Sequence, residues 1–337
     1  MVKGPRIVGL ALTPETNLAR RFIEKNSLAP PIDIQSMVEA YARLTFTNIP
    51  FDGVDGVSLN LKARNRPPHV IVNSQSPPSR QRFTMAHELG HILIPWHIGS
   101  VLIDQVAPVS SRRSNYFTSY SWSMETEANS FAAELLMPHS WIMELLSTTD
   151  DLSKVHKSIL QTCETSPFSA AIRLSQLLPA SIVYASERNR VVEFSGRTCQ
   201  TIANPLESGT AFPRDPFAYS DHHYVSEMRD RRLHWWKLPR EIHIDSSDDR
   251  AWRDILNGIL NDIGLSTQES REMKMSISGI IGSANNACDD KYNVDSVVSA
   301  CIQRLSDREF YREIAAHRDF GAFVHKRAED IVYRSSR

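Results

Sequence analysis

The segment Arg82-Phe83-Thr84-Met85-Ala86-His87-Glu88-Leu89-Gly90-His91 sets two histidines four residues apart, with a glutamate directly after the first. On an α-helix, positions i and i+4 lie on one face, about one turn from each other. Both imidazoles can then converge on a single metal ion, and Glu88 stands where it can take the proton of an attacking water. The block is therefore expected to be helical, with its histidine face turned inward. Phe83, Ala86, Gly90, Ile92 and Leu93 give the motif an apolar or small context, while Pro77 and Pro78 suit a helix start and Pro95 a helix stop. A helix whose histidines are only solvated or hydrogen-bonded is the competing explanation. The apolar context favours the metal.

A catalytic zinc site takes three protein ligands and keeps one position open. The segment Met124 to Pro138 supplies a second helix, with Ala128, Phe131, Ala132, Leu135 and Leu136 as its apolar stripe. Glu125 lies three residues before Ala128 and continues that stripe, where a carboxylate is costly unless it is paired or metal-bound. Glu125 is therefore the third-ligand candidate, against the alternative of an exposed helix-start carboxylate. Asn129, one turn on, is placed to orient a ligand imidazole through its second ring nitrogen. Glu127 and Glu134 are expected to point to solvent.

Together these residues resemble the ImmA/IrrE family of zinc metallopeptidases. The resemblance rests on the RFTMAHELGH block, the E-x-E-A-N-x-F-A-A-E-L-L-M-P block and the spacing between them. Weaker echoes at Pro30-Pro31-Ile32-Asp33-Ile34 and Ser169 to Leu174 extend it over residues 15–185. It implies a gluzincin-like fold, one Zn²⁺ per chain on His87, His91 and Glu125, and Glu88 as catalytic acid/base. It also implies a regulatory protein as substrate, often a helix-turn-helix repressor, cut in response to stress or mobile-element signals. One departure is visible: members often place a histidine soon after the motif, whereas Ile94-Pro95-Trp96 intervenes here before His97. That histidine is read as an ordinary loop or helix-end residue.

The 337 residues suffice for two domains, and 41% hydrophobic with 23% charged residues is ordinary for a globular chain. A net charge of −1 gives no overall attraction to nucleic acid or to a membrane surface. No apolar run approaches bilayer length, and the stretch after Met1 is broken by Pro14 and Glu15, unlike a secretory signal. Cys163, Cys199, Cys288 and Cys301 lack metal-site spacing and are expected as free thiols, consistent with a cytoplasmic protein.

The pattern along the chain predicts an α+β fold. Residues 1–150 form a metallopeptidase domain built on a small sheet (44–49, 57–61, 70–73), the HExxH helix and the Glu-bearing helix. The strand ending in Asn73 is either an ordinary packing strand or an edge that takes up extended substrate. Residues 101–123 read as a cleft loop. Its Tyr116 and Tyr120 are either hydroxyl donors to an oxyanion or aromatic anchors. Residues 151–180 hold two helices of helix-turn-helix spacing. Their second helix offers only Arg173, Ser175 and Gln176 to bases, so packing on the peptidase domain is favoured over DNA. Residues 181–245 are β-rich, with a hairpin across Ser186 to Asn189, a loop from Asn204 to Tyr224 and a strand at 233–238. Residues 246–337 are helical, a mixed C-terminal region of unknown role that could bind a regulatory partner. Two functions follow. The leading one is a zinc-dependent endopeptidase acting on a protein, and the alternative is a non-proteolytic DNA- or partner-binding protein on the same scaffold. The intact Glu88 argues for the first.

Overall fold

The computed structural model describes residues 13–51, 53–98, 102–105, 118–244, 248–288, 290–306 and 309–335, with 102–105, 118–122, 309 and 335 given by backbone alone. The chain divides into two compact units, one ending at Leu177 and one beginning at Leu178.

The first unit opens with α1 (Pro14–Lys25) and α2 (Ile34–Tyr41), the latter started by Asp33, whose carboxylate accepts from the Ser36 amide at 3.1 Å. Three strands follow: β1 (Arg43–Thr47), β2 (Val54–Leu59) and β3 (His69–Asn73). Then come α3 (Pro78–Leu93), β4 (Leu102–Gln105), α4 (Thr118–Leu136), α5 (His139–Thr148), α6 (Leu152–Thr162) and α7 (Pro167–Leu177). The sheet order is β1-β3-β2-β4, with β1 parallel to β3 and the remaining pairs antiparallel. Alternation explains its single packed face: Val70 and Val72 of β3 and Val54 and Ser58 of β2 are buried while their neighbours are not. α3 lies against that face of β2 and β3, and α4 packs on α3.

Two expectations are corrected here. β3 is paired on both sides, so the strand ending in Asn73 is no edge; among the described residues the edges are β1 and β4. The stretch 101–123 is not all loop, because β4 occupies part of it and α4 begins six residues before Met124. The signal for that early start is absent, since Thr118 to Ser123 carries no apolar stripe.

Asp151 caps α6, accepting from the Ser153 amide at 3.0 Å. His156, wholly buried on α6, donates from Nε2 to the Pro167 carbonyl at 3.2 Å and so pins the α6–α7 turn. Burial pushes its ring pKa down from 6.5 to about 4. The unfolded chain takes up a proton near pH 6.5 that the native ring refuses, so this contribution is complete above 6.5 and shrinks as pH falls toward 4. His156→Gln should lose, on the order of 1–3 kcal/mol, the part of the stability drop between pH 7 and pH 4.5 that this ring causes. Denaturation midpoints of both proteins at the two pH values check this. Equal drops would assign the effect to other groups.

α7 buries Arg173 and Ser175, leaving Gln176 exposed. Two of the three side chains offered to bases are thus inside the protein.

In the second unit, β5 (Ile182–Arg188), β6 (Val191–Arg197), β7 (His222–Glu227) and β8 (Arg232–Lys237) form an antiparallel sheet in the order β6-β5-β8-β7. The expected loop from Asn204 thus gives way at His222 to a strand. Helices α8 (Trp252–Asp262), α9 (Thr267–Ala287), α10 (Val294–Ser306), α11 (Arg312–Ala315) and α12 (Phe320–Ser335) complete it around a core that includes Ile255, Ile259, Ile277, Val298 and Phe323. The capping box of Ser266 and Glu269 starts α9. Among the described residues, no helix is long and apolar enough to cross a membrane. All four cysteines are free.

Candidate metal centre

α3 starts on the proline pair expected of it and carries His87, Glu88 and His91 wholly or almost wholly buried. Its last carbonyls, those of His91 and Ile92, accept from the Lys62 ammonium, a cation suited to the negative end of a helix. α4 reaches this helix closely because Gly90 has no side chain. A Cβ there would stand 3.1 Å from Phe131 Cδ1, tighter than ordinary packing. The glycine of the motif thus lets Glu125 come within reach of both histidines.

The three candidate ligand atoms meet at one point. His87 Nε2 lies 3.0 Å from His91 Nε2 and 3.1 Å from Glu125 Oε2, and His91 Nε2 lies 3.5 Å from Glu125 Oε1. Donors about 2.0–2.1 Å from a tetrahedral zinc stand about 3.3 Å apart, so these separations fit one ion. Glu125 Oε1 is buried and has no hydrogen-bond partner, as a ligand atom awaiting a cation would be. Burial holds His91 neutral, its pKa pushed down to about 4. Burial works the other way on Glu125, but His87 and His91 draw its carboxyl down to about 2. Neutral imidazoles and an ionised carboxylate are the forms that bind a divalent metal.

Asn129 Oδ1 lies 2.9 Å from His87 Nδ1, so this ring donates there and keeps its Nε2 lone pair for the ligand point. Beneath Glu88 lies β2. The Ser58 hydroxyl donates to Glu88 Oε2, and a Cβ at Gly56 would clash with Thr84 Cγ2 and stand 3.3 Å from Glu88 Oε1. Ser58 and Gly56 face the same side of β2, one anchoring Glu88 and the other making room for it.

Several expectations change. Glu127 is partly exposed yet fully engaged on one side: it accepts from His97 Nε2 at 3.0 Å, from Ser123 Oγ at 2.8 Å and from Trp96 Nε1. Glu134 is buried in an ion cluster. His97 is no ordinary loop histidine, being fully buried with its Nδ1 2.9 Å from His91 Nδ1. Tyr116 lies outside the described residues, and Tyr120 falls in α4 where only backbone is described. Ser58, Gly56 and Lys62 carry no signal in the sequence, since nothing in their spacing ties them to a helix about thirty residues away.

An HExxH helix facing a second helix that offers a glutamate at the same point is the site architecture of a metallopeptidase domain. Residues 43–175 match the family described as the IrrE N-terminal-like domain, peptidase family M78, as the two sequence blocks imply. The radiation response metalloprotease IrrE of Deinococcus radiodurans is 31% identical over 118 residues, 34% of this chain and 33% of that protein. The protein of the same description from Deinococcus deserti is 30% identical over 182 residues, 51% of this chain and 59% of that one. The chain thus matches 59% or less of either relative's length. A solved Mycobacterium tuberculosis transcriptional regulator aligns over 69% of this chain and 93% of its own, at 12% identity. Its TM-score is 0.36.

Proposed function

We propose that the protein is a zinc-dependent endopeptidase with a gluzincin-like catalytic domain, and that its substrate is a regulatory protein of a stress or mobile-element response, such as a helix-turn-helix repressor. The observation that carries this reading is the convergence of His87, His91 and Glu125 on one point beside a buried, anchored Glu88. One Zn²⁺ held by these three groups would polarise the scissile carbonyl and acidify a water. Glu88 then takes the proton of the attacking water and passes it to the leaving amine. Ser58 keeps the carboxylate in place between the two transfers. Asn129 keeps the His87 ring aimed. β4, the sheet edge beside β2, is the strand to which an extended substrate would add.

The stress setting rests on the radiation response of the Deinococcus relatives. The free cysteines accord with a cytoplasmic location. The second unit would serve a regulatory partner; unchanged regulation after its removal would count against that. Metal analysis of the purified full chain tests the core of the proposal. The parent should hold about one zinc, and Glu125→Ala should lose it to a chelator that the parent withstands. A parent that takes up no zinc after reconstitution would end the peptidase reading.

A further inference from the structure

We propose that His97 and Glu127 are a positioning pair that fixes the tautomer and aim of His91, doing for this ligand what Asn129 does for His87. The inference rests on the metal reading of His87, His91 and Glu125, and concerns residues that no metal contact requires. His97 Nδ1 and His91 Nδ1 are 2.9 Å apart, so one of them donates a proton and the other accepts it. Hydrogen bonds at the far side of His97 decide which. Its Nε2 lies 3.0 Å from Glu127 Oε2, and an ionised carboxylate only accepts. Glu127 is held in place by two further donors, the Trp96 indole N–H and the Ser123 hydroxyl. His97 therefore carries its proton on Nε2, and its Nδ1 presents a lone pair.

The rest follows from the chemistry of a neutral imidazole, which has one N–H and one lone pair. His91 donates from Nδ1 to His97, which leaves the His91 lone pair on Nε2. That is the nitrogen that faces His87 Nε2 and Glu125. With the opposite proton order, His91 would present an N–H to the ligand point and repel a cation there.

α4 thus supports the centre three times. Glu125 lies at the ligand point, Asn129 orients His87 directly, and Glu127 orients His91 through His97. The Ile94-Pro95-Trp96 turn that separates His97 from the motif is what brings it back under His91, with the His97 amide on the Ile94 carbonyl at 3.2 Å.

Two measurements on the full chain test this. Nitrogen-15 long-range correlation of the imidazoles in the metal-free protein should show His91 protonated on Nδ1 and His97 on Nε2. A His97 protonated on Nδ1 overturns the proposal, and this readout needs neither a variant nor bound metal. Zinc affinity by competition with a chromophoric chelator should fall about 10–100-fold in His97→Leu. His97→Asn, whose side-chain oxygen can take the place of Nδ1 as acceptor, should recover most of that loss. Equal affinity in parent, His97→Leu and His97→Asn, or equal loss in the two variants, rejects a positioning role. Failure of the parent itself to bind zinc would fall on the peptidase reading, while the tautomers of the metal-free rings would still decide the hydrogen-bond order.

Discussion

Glu88→Gln is expected to keep about one zinc per chain and to lose about 10²–10⁴-fold in peptide-bond cleavage, the usual worth of a positioned general base. The substitution is nearly isosteric. The amide oxygen can still accept from Ser58, and the side chain still fits against the open side of Gly56. What it lacks is a site for the proton of the attacking water. The readout is the appearance of new amino termini when the zinc-loaded protein is added to a host lysate, compared between parent and variant. Metal content is measured on the same samples. Cleavage at parental rates by a zinc-loaded Glu88→Gln would remove Glu88 from the role of base, and no rearrangement of its neighbours would restore it.

The helix that carries Glu88 is legible in the sequence because its information is local. Two histidines at i and i+4, a proline pair ahead and a proline behind define a helix and its ends without reference to anything distant. The α4 stripe is legible for the same reason, whereas in β2 the apolar Val57 and Leu59 suggest the opposite face from the one that packs, which buries Val54, Gly56 and Ser58. What sequence does not carry is the second layer around the site. Ser58 and Glu88 are brought together only when β2 pairs and α3 lies on it, and no period links positions 58 and 88. His97 reads wrongly because a proline and a tryptophan at its approach look like a chain leaving the site, whereas the turn they make brings it back. Glu127 reads wrongly on helix geometry alone, since its partners include Trp96 and His97 on the turn after α3.

Glu134 belongs to the same class of error, and its expected effect on stability is large. It lies three residues past the buried Phe131, so spacing does place it toward the interior. Its charge argues for solvent because its partners are 114 and 39 residues away. Arg20 Nε donates to Oε1 at 3.0 Å, Arg173 Nη2 to Oε2 at 2.5 Å, and the His139 amide to Oε1 at 3.1 Å. Arg173 also donates from Nε to the Met137 carbonyl at 3.0 Å. One carboxylate therefore joins α4 to α1, to α7 and to the start of α5. Glu134→Ala leaves Arg173, 4% exposed, as a buried charge without its counterion, and should cost about 3–5 kcal/mol in the unfolding of the first unit. Arg173→Met combined with Glu134→Leu should recover a large part of that loss. In that combination no buried charge is stranded, and the intact pair gains little over well-packed apolar side chains. Burial raises the Glu134 pKa, but Arg173 and Arg20 outweigh it and hold the native value below 4.5. Its contribution is accordingly complete above 4.5 and declines as pH falls through the lowered native value, an acid limb that Glu134→Ala should lack. Denaturant titrations of parent, single and double variants between neutral and acid pH separate these effects. A single variant within about 1 kcal/mol of the parent, the worth of an exposed ion pair, would mean that water reaches Arg173 when the carboxylate is gone. The cluster would then specify how α4 and α7 meet rather than hold them together.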